Sequence, residues 1–187
     1  MKGRLAAILI MIVLLTGCSG DSNELDRVLQ LRQTLQTCQE CSFSATVTAD
    51  YGDEICTFSI DCVMNNQGDV IFTVAEPQSI SGITGAISHD GGKLTFDDQA
   101  LLFPILADEQ LTPVSAPWVL MQTLRSGYIR SCTKTENGLM AIIDDSYQEN
   151  SLQLDIWLDG NDIPIAAEIL WDGRRVLSMT VNSMTIQ

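Results

Sequence analysis

The first regular alternation of apolar and polar residues in the chain has helical spacing. It runs from about Ser22 to Thr37, and Asp21 followed by Glu24 resembles a capping box at its start. The apolar stripe, which includes one arginine, consists of Leu25, Val28, Leu29, Leu31, Arg32 and Leu35. The pattern predicts one amphipathic helix over residues 22–37.

From Ser42 onward the period changes to two, which predicts strands. Phe43, Ala45, Val47 and Ala49 alternate with serine and threonine, and a second run carries Cys56, Phe58, Ile60 and Cys62 on one face. A turn centred between Tyr51 and Gly52 keeps all the apolar residues of this hairpin together. That register places Val47 opposite Cys56 and Cys41 opposite Cys62.

The rest of the chain reads as further hairpins around a second helix. The predicted strands are 69–76, 85–89, 93–96, 128–135, 139–144, 151–158, 164–171 and 174–185, with 100–106 as an edge strand or loop because of Pro104. Ser115, Pro117 and Gly127 are predicted to cap, begin and end the second helix. Asp172-Gly173 suits a type I' turn, with Glu168 and Arg175 as an exposed ion pair beside it.

About ten antiparallel strands and two helices exclude an alternating parallel α/β fold. They predict an α+β, mainly β protein in which one large curved sheet wraps around the helices. The chain resembles the lipoprotein-carrier superfamily typified by LolA and LolB, whose members have a half-open antiparallel barrel closed by helices. The local similarities are Pro77, Gly91-Gly92-Lys93-Leu94, Pro164 and Arg174-Arg175-Val176. The resemblance covers nearly all of residues 18–187, from the first helix to the closing hairpin, and we expect residues 18–187 to form one domain.

The resemblance also implies a mode of action. Such families bind acyl chains or apolar ligands between sheet and helices, or they serve as protein-binding modules. Trp118, Leu120, Met121 and Leu124 on the second helix are the candidate lining of such a cavity. The alternative for the same four residues is that they fill the core.

The start of the chain has the three parts of a bacterial lipoprotein signal. Lys2 and Arg4 are followed by an apolar run over residues 5–15 and then by Thr16-Gly17-Cys18. A run of this length is too short to cross a bilayer, which takes about 20 residues. We therefore expect residues 1–17 to be removed and Cys18 to carry the lipid. An ordinary secretory signal or a short buried helix is the alternative.

Charge narrows the list of partners. The net charge of −14 becomes −16 when residues 1–17, which contain two basic and no acidic residues, are removed. Nucleic acid is excluded as a partner, because its phosphates require clustered lysine and arginine. Anionic headgroups would also repel the domain, so the lipid on Cys18 is the expected membrane attachment. The predicted location is the extracytoplasmic face of a cell membrane.

Five cysteines follow Cys18, and in an exported protein they are disulfide candidates. The hairpin register favours a bridge between Cys41 and Cys62, with Cys38 competing for Cys62. A zinc site is disfavoured by the wide spacing between Cys56 and Cys62. A reactive thiol pair at Cys38 and Cys41 is disfavoured because it follows a helix rather than preceding one.

Catalytic motifs do not emerge from the sequence. His89, the single histidine, lies in a turn, and neither a nucleophile elbow nor a phosphate-binding loop occurs. We expect no enzyme activity, cofactor or metal. The predicted function is non-covalent binding of a lipid, an apolar ligand or a lipoprotein. The alternatives are an interaction subunit of an envelope protein complex with a filled core and, less favoured, an enzyme that uses exposed acids.

Overall fold

The computed structural model describes residues 22–50, 52, 54–96, 99–103, 111–148 and 151–187. The helices are α1 (Ser22–Thr37) and α2 (Ala116–Ser126), and a 3-10 turn (Pro113–Ser115) precedes α2. The strands are β1 (Glu40–Asp50), β2 (Ile55–Asn65), β3 (Val70–Glu76), β4 (Thr84–Ser88), β5 (Gly91–Phe96), β6 (Gln99–Phe103), β7 (Tyr128–Thr135), β8 (Gly138–Asp144), β9 (Leu152–Leu158), β10 (Pro164–Trp171) and β11 (Arg174–Ile186). Cys18 and Asp21 lie outside the described residues.

All eleven strands form one antiparallel sheet. Their order is β6-β5-β4-β3-β2-β1-β11-β10-β9-β8-β7, so the first and last strands of the chain pair at the centre. Each remaining strand pairs with its neighbour in sequence, and β6 and β7 end the sheet without closing it into a barrel. The predicted fold class, a large curved antiparallel sheet with helices packed on it, is confirmed. The segment predicted as an edge strand or loop supplies the edge strand β6 as far as residue 103.

Period-two alternation explains why one face of the sheet is buried. In β1, Phe43, Ala45, Val47 and Ala49 are at most 3% exposed, while the serines and threonines between them are only half-buried. Strands β8 and β9 repeat this alternation. We call the buried side the inner face and the other side the outer face. The inner face and both helices contribute to one continuous cluster of buried apolar side chains.

The first helix has the predicted bounds but a narrower buried stripe. Val28, Leu31 and Leu35 are at most 5% exposed, whereas Leu25 and Leu29 remain 38% and 42% exposed. Of the apolar side chains in the stripe, only Val28, Leu31 and Leu35 are therefore fully part of the core. Neither described helix is long and apolar enough to cross a membrane.

The second helix begins and ends where predicted, but by different interactions. Ser115 makes no side-chain cap hydrogen bond to the helix, because its hydroxyl donates to the Thr112 carbonyl at 2.7 Å. Gly127 follows the last turn in an extended conformation, not a left-handed one. A Cβ there would lie 2.6 Å from the Thr123 carbonyl oxygen and 2.7 Å from that of Asp144, so close packing favours glycine.

The register predicted for the first hairpin is wrong by two residues. Phe43 lies opposite Cys62 and Cys41 opposite Met64, so each residue of β1 pairs two residues further along β2 than predicted. A shift of two residues leaves every side chain on the same face, so burial alone cannot distinguish the two registers. The Asp50 carboxylate accepts a hydrogen bond from the Gly52 amide at 2.8 Å within this turn.

The last hairpin matches its prediction more closely. Asp172 and Gly173 have φ values of 50° and 71°, which are the two positive values that a type I' turn requires. Arg175 Nη1 lies 2.7 Å from Glu168 Oε1, which confirms the predicted ion pair.

Candidate functional site: the interface between helices and sheet

The four residues predicted to line a cavity all lie on α2 and are buried. Leu120 and Met121 are 0% exposed, Leu124 is 1% exposed and Trp118 is 7% exposed. A side chain lining a cavity large enough for one water molecule would expose surface to it. At these positions, the space between helix and sheet is filled by the protein's own side chains.

Arg32 holds the carboxyl end of α2 from the side of α1. Its Nε donates to the Leu124 carbonyl at 2.8 Å and its Nη2 donates to the Gly127 carbonyl at 2.7 Å. Gln36, one turn further along α1, donates to the Arg125 carbonyl at 2.6 Å. The last carbonyls of a helix have no partners within it, and a positive charge there is favourable. The two helices are therefore joined by hydrogen bonds as well as by apolar contacts.

Burial has a cost for the Arg32 guanidinium. Desolvation lowers the pKa of Arg32, and the neighbouring Cys132 acts in the opposite direction. An arginine side chain is effectively always protonated in proteins. The charge-assisted hydrogen bonds from Arg32 to α2 are thus present throughout the neutral range.

Two more arginines tie the helices to turns of the sheet. Arg27 on α1 donates from Nε to the Asp162 carboxylate at 2.6 Å, in the turn between β9 and β10. Arg125 on α2 donates from Nη2 to the Asn66 carbonyl at 2.9 Å, in the turn between β2 and β3. We call Arg27, Arg32 and Arg125 the arginine clasps. The bonds of Arg27 and Arg125 would have to break for the helices to separate from the sheet, whereas those of Arg32 join the two helices to each other.

Sequence reasoning missed the role of the clasps, although one signal was present. Arg32 falls inside the apolar stripe of α1, where an unpaired charge would be costly. A basic residue at such a position indicates an acceptor on the partner element. The acceptors are backbone carbonyls of α2 and its following residue, which have no sequence signature.

The three cysteines nearest the end of α1 are buried. Cys41 and Cys62 are 0% and 2% exposed, and the observed register makes them diagonal rather than opposed. Diagonal residues are about 7–8 Å apart, which is wider than the usual disulfide range of roughly 4.4–6.8 Å between Cα atoms. Cys38, Cys41, Cys56 and Cys62 form no disulfide bond among the described residues. The Cys41–Cys62 bridge stays a prediction, without the opposed register that favoured it.

Burial makes these thiols poor nucleophiles. It raises the pKa of Cys41 from 9.0 to about 12, with further contributions from Cys38 and Glu40. It also raises the pKa of Cys62, with Asp61 and Cys41 adding to the effect. Because the thiolate is the reactive form, both side chains are suited to packing at neutral pH. Cys38 donates its thiol hydrogen to the Leu35 carbonyl at 3.4 Å, at the carboxyl end of α1.

An open groove lies at the end of the sheet near the turns β2–β3 and β4–β5. Its volume is about 610 Å³, and Ile71, Ala86 and Lys93 are among its lining residues. The register places Val63, Ile71, Ala86 and Lys93 side by side across four strands. Ile71 is 57% exposed there. This groove was not predicted, and its apolar row belongs to the outer face.

The centre of the outer face is lined by hydroxyls. The Ser44 and Ser183 hydroxyl oxygens are 2.9 Å apart, and those of Thr48 and Thr57 are 3.1 Å apart. These residues lie on β1, β2 and β11, the central strands of the sheet. The middle of the outer face is thus polar, and its hydroxyls partly satisfy one another.

No family model matches this chain, and no curated protein matches it. Several solved structures are similar in fold. A putative outer membrane lipoprotein-sorting protein domain from Vibrio parahaemolyticus is 9% identical, with a TM-score of 0.46, over 86% of this chain and 91% of that chain. A LolA superfamily protein from Nitrosomonas europaea is 7% identical, with a TM-score of 0.46, over 86% and 93%.

An uncharacterized conserved protein from Thermus thermophilus is also similar, at 14% identity and a TM-score of 0.46 over 88% of this chain and 86% of that chain. The LolA superfamily is thus represented among the structures that this chain resembles. Identities this low concern architecture only, so no binding residue or ligand is transferred from these proteins.

Proposed function

We propose that this chain is a lipid-anchored, extracytoplasmic, non-catalytic interaction module that binds a protein of the cell envelope through its outer surface. The observation that carries the proposal is the burial of Trp118, Leu120, Met121 and Leu124, at 7% exposure or less. A carrier that takes an acyl chain between sheet and helices needs apolar surface free to receive it. Here that surface is already in contact with other side chains.

The arginine clasps support the same proposal. An interior ligand site could still form if the helices moved away from the sheet. Such a movement would break the hydrogen bonds from Arg27 to the Asp162 carboxylate and from Arg125 to the Asn66 carbonyl. Both bonds are partly exposed, so each contributes at most about 1 kcal/mol. Opening is therefore opposed by polar contacts in addition to the apolar contacts of the core.

The anchor is the part of the proposal that rests on sequence alone. Cys18 directly follows Thr16-Gly17 and precedes the first residue of α1 by four positions. An acylated Cys18 would hold the domain close to the bilayer. A single acyl chain binds only reversibly, whereas two or more give stable attachment.

Native mass spectrometry of the full chain after gentle detergent extraction tests the proposal. We expect the mass of the chain from Cys18 with its covalent acyl groups and no further bound lipid. A stoichiometric non-covalent lipid would contradict the interaction module, and its loss in Ile71→Asp would assign it to the open groove rather than to the core. An unacylated Cys18 would contradict the anchor.

The open groove on the outer face favours a second candidate function, which is binding of an apolar ligand or a lipoprotein acyl chain. Its volume of about 610 Å³ lies within the usual range for small-ligand sites, roughly 300–1,000 Å³. Exposed Ile71 provides apolar contact. An Ile71→Asp variant distinguishes this candidate, because it would abolish lipid binding in the groove and leave the buried core unchanged.

A further inference from the structure

Strand β7 ends the sheet on one side and exposes its free edge. Its only partner among the described strands is β8, so the backbone groups on its other side are not part of a ladder. Strand β7 contacts α1, but five of its eight residues are exposed. An exposed sheet edge is a ready template for an additional strand.

Two exposed tyrosines stand at one end of this edge. Tyr128 begins β7 and is 48% exposed, while Tyr147, in the segment after β8, is 87% exposed. Their ring centroids are 5.1 Å apart. Large apolar side chains that are exposed and in contact with each other are typical of interface anchors, where tyrosine is enriched.

The edge is also basic, in a protein whose net charge is −14. Arg130 and Lys134 both belong to β7 and both are exposed. Arg130 already has partners, since its Nη1 lies 2.9 Å from Gln153 Oε1 and 3.5 Å from Asp144 Oδ1. Among the described side chains, Lys134 forms no ion pair and no hydrogen bond. A positive charge is therefore available beside the free backbone.

We infer that the edge of β7 is a docking site for an extended, acidic segment of a partner protein, which adds to the sheet as a twelfth strand. The backbone of the segment would pair with β7, carboxylates on one of its faces would lie beside Lys134, and its end would contact the two tyrosines. Charge argues against a second copy of this chain as the occupant, because its β7 edge would bring another lysine, rather than carboxylates, to the seam beside Lys134.

This inference rests on the proposed interaction module and identifies the surface and the class of partner. Lysine on an edge strand also has a purely protective role, which is to prevent edge-to-edge aggregation. The two explanations differ in whether an acidic strand binds to β7. It binds if the edge is a docking site, and it does not bind if the lysine only prevents aggregation.

The test uses the full chain in detergent and two blocked eight-residue peptides, in which valine alternates with glutamate or with lysine. Amide hydrogen exchange of β7 is measured with each peptide. We expect the glutamate peptide to slow exchange in β7 and the lysine peptide to have no effect. Added salt should weaken the protection, because the attraction is between exposed charges.

Two variants with the same change in charge distinguish an effect of the β7 edge from an effect of the protein's net charge. Lys134→Glu should weaken binding of the glutamate peptide by about fivefold to tenfold and allow the lysine peptide to bind. Arg174→Glu, at the exposed start of β11, is the matched control and should bind like the unchanged protein. Tyr147→Ala should also weaken binding, and it removes a side chain that is 87% exposed and so not part of the core.

Several results would overturn the inference. These are no protection of β7 by either peptide, equal protection by both, or an equal loss in Arg174→Glu and Lys134→Glu. Protection of β7 that requires no peptide and disappears on dilution would assign the edge to a second copy instead. None of these outcomes depends on whether a lipid enters the core, so failure here is distinguishable from failure of the proposed function.

Discussion

The two faces of the sheet differ in how completely their side chains are partnered. On the inner face, alternate residues of β1, β8 and β9 are buried against α1 and α2, and the arginine clasps connect those helices to each other and to the turns. On the outer face and the β7 edge, Ile71, Tyr147 and Lys134 remain free for new contacts. A protein of this architecture can therefore bind a partner through its outer face or its sheet edge, even when the space between helices and sheet is filled.

This contrast separates what stabilises the fold from what is available for function. Buried apolar contacts on the inner face supply the stability, and a change there should unfold the protein. Exposed groups contribute little to stability, so their loss should leave the fold intact. The following predictions test the contrast in decreasing order of expected effect.

Leu120→Ala should have the largest effect. Leu120 is 0% exposed, and large-to-small changes at such sites cost about 2–5 kcal/mol. Thr48→Ala, on the outer face of β1, should change stability by less than about 0.5 kcal/mol. Urea denaturation followed by circular dichroism measures both. Equal losses in the two variants would mean that the inner face is not the main source of stability.

Arg32→Met should have an intermediate effect. The substitution keeps the aliphatic stem and removes the donors to the carbonyls of Leu124 and Gly127. We expect a loss of about 1–3 kcal/mol in the free energy of unfolding. Hydrogen exchange should accelerate most at the carboxyl end of α2.

Arg175→Met is the matched control for the clasp. Arg175 forms an ion pair with Glu168 on the outer face, and its side chain is 52% exposed. Exposed pairs of this kind contribute little. A decrease in stability as large as that of Arg32→Met would contradict the distinction between a clasp and a surface pair.

The buried thiols should have the smallest effect at neutral pH, because their contribution to stability changes only at alkaline pH. The folded state holds the pKa of Cys41 at about 12, above its ordinary value of 9.0, so the folded protein keeps the thiol proton longer than the unfolded chain. The resulting stability is complete below pH 9.0 and is lost as the pH rises from there towards 12. The urea concentration at the unfolding midpoint, measured under reducing conditions, should therefore decrease as the pH rises above 9.0.

Cys41→Ala should reduce the loss of stability at alkaline pH, because the variant has no thiol to ionise at this site. Cys56→Ala, at an exposed position of β2, should not reduce it. If both variants changed the slope equally, burial of Cys41 would not be its cause.

The sequence predicts the elements of this fold well because its alternations are strong. The bounds of α1, β7 and β10 agree with the structure to the residue. Asp172-Gly173 also forms the turn it predicts, since few dipeptides adopt two positive φ values easily. Local chemistry of this kind is decided within a few residues.

Contacts between distant elements were harder to predict. In the first hairpin, a shift of two residues between the strands leaves the same face buried. The hydrophobic pattern therefore does not distinguish the observed pairing of Cys41 with Met64 from the predicted one. Similarly, Trp118 and Met121 were predicted to lie between helix and sheet, but whether that space is empty depends on the combined volume of many side chains. Hydrophobic pattern specifies which residues face inward and does not specify how tightly they pack.

The most direct test of the closed interior is quenching of Trp118 fluorescence by a brominated fatty acid. Trp157→Phe combined with Trp171→Phe leaves Trp118 as the single tryptophan, and Trp118→Phe combined with Trp171→Phe leaves Trp157 on β9 as the comparison. Because Trp118 is only 7% exposed, we predict that titration with the fatty acid leaves its emission unchanged. Saturable quenching of Trp118 would show an acyl chain between helices and sheet and would contradict the filled core.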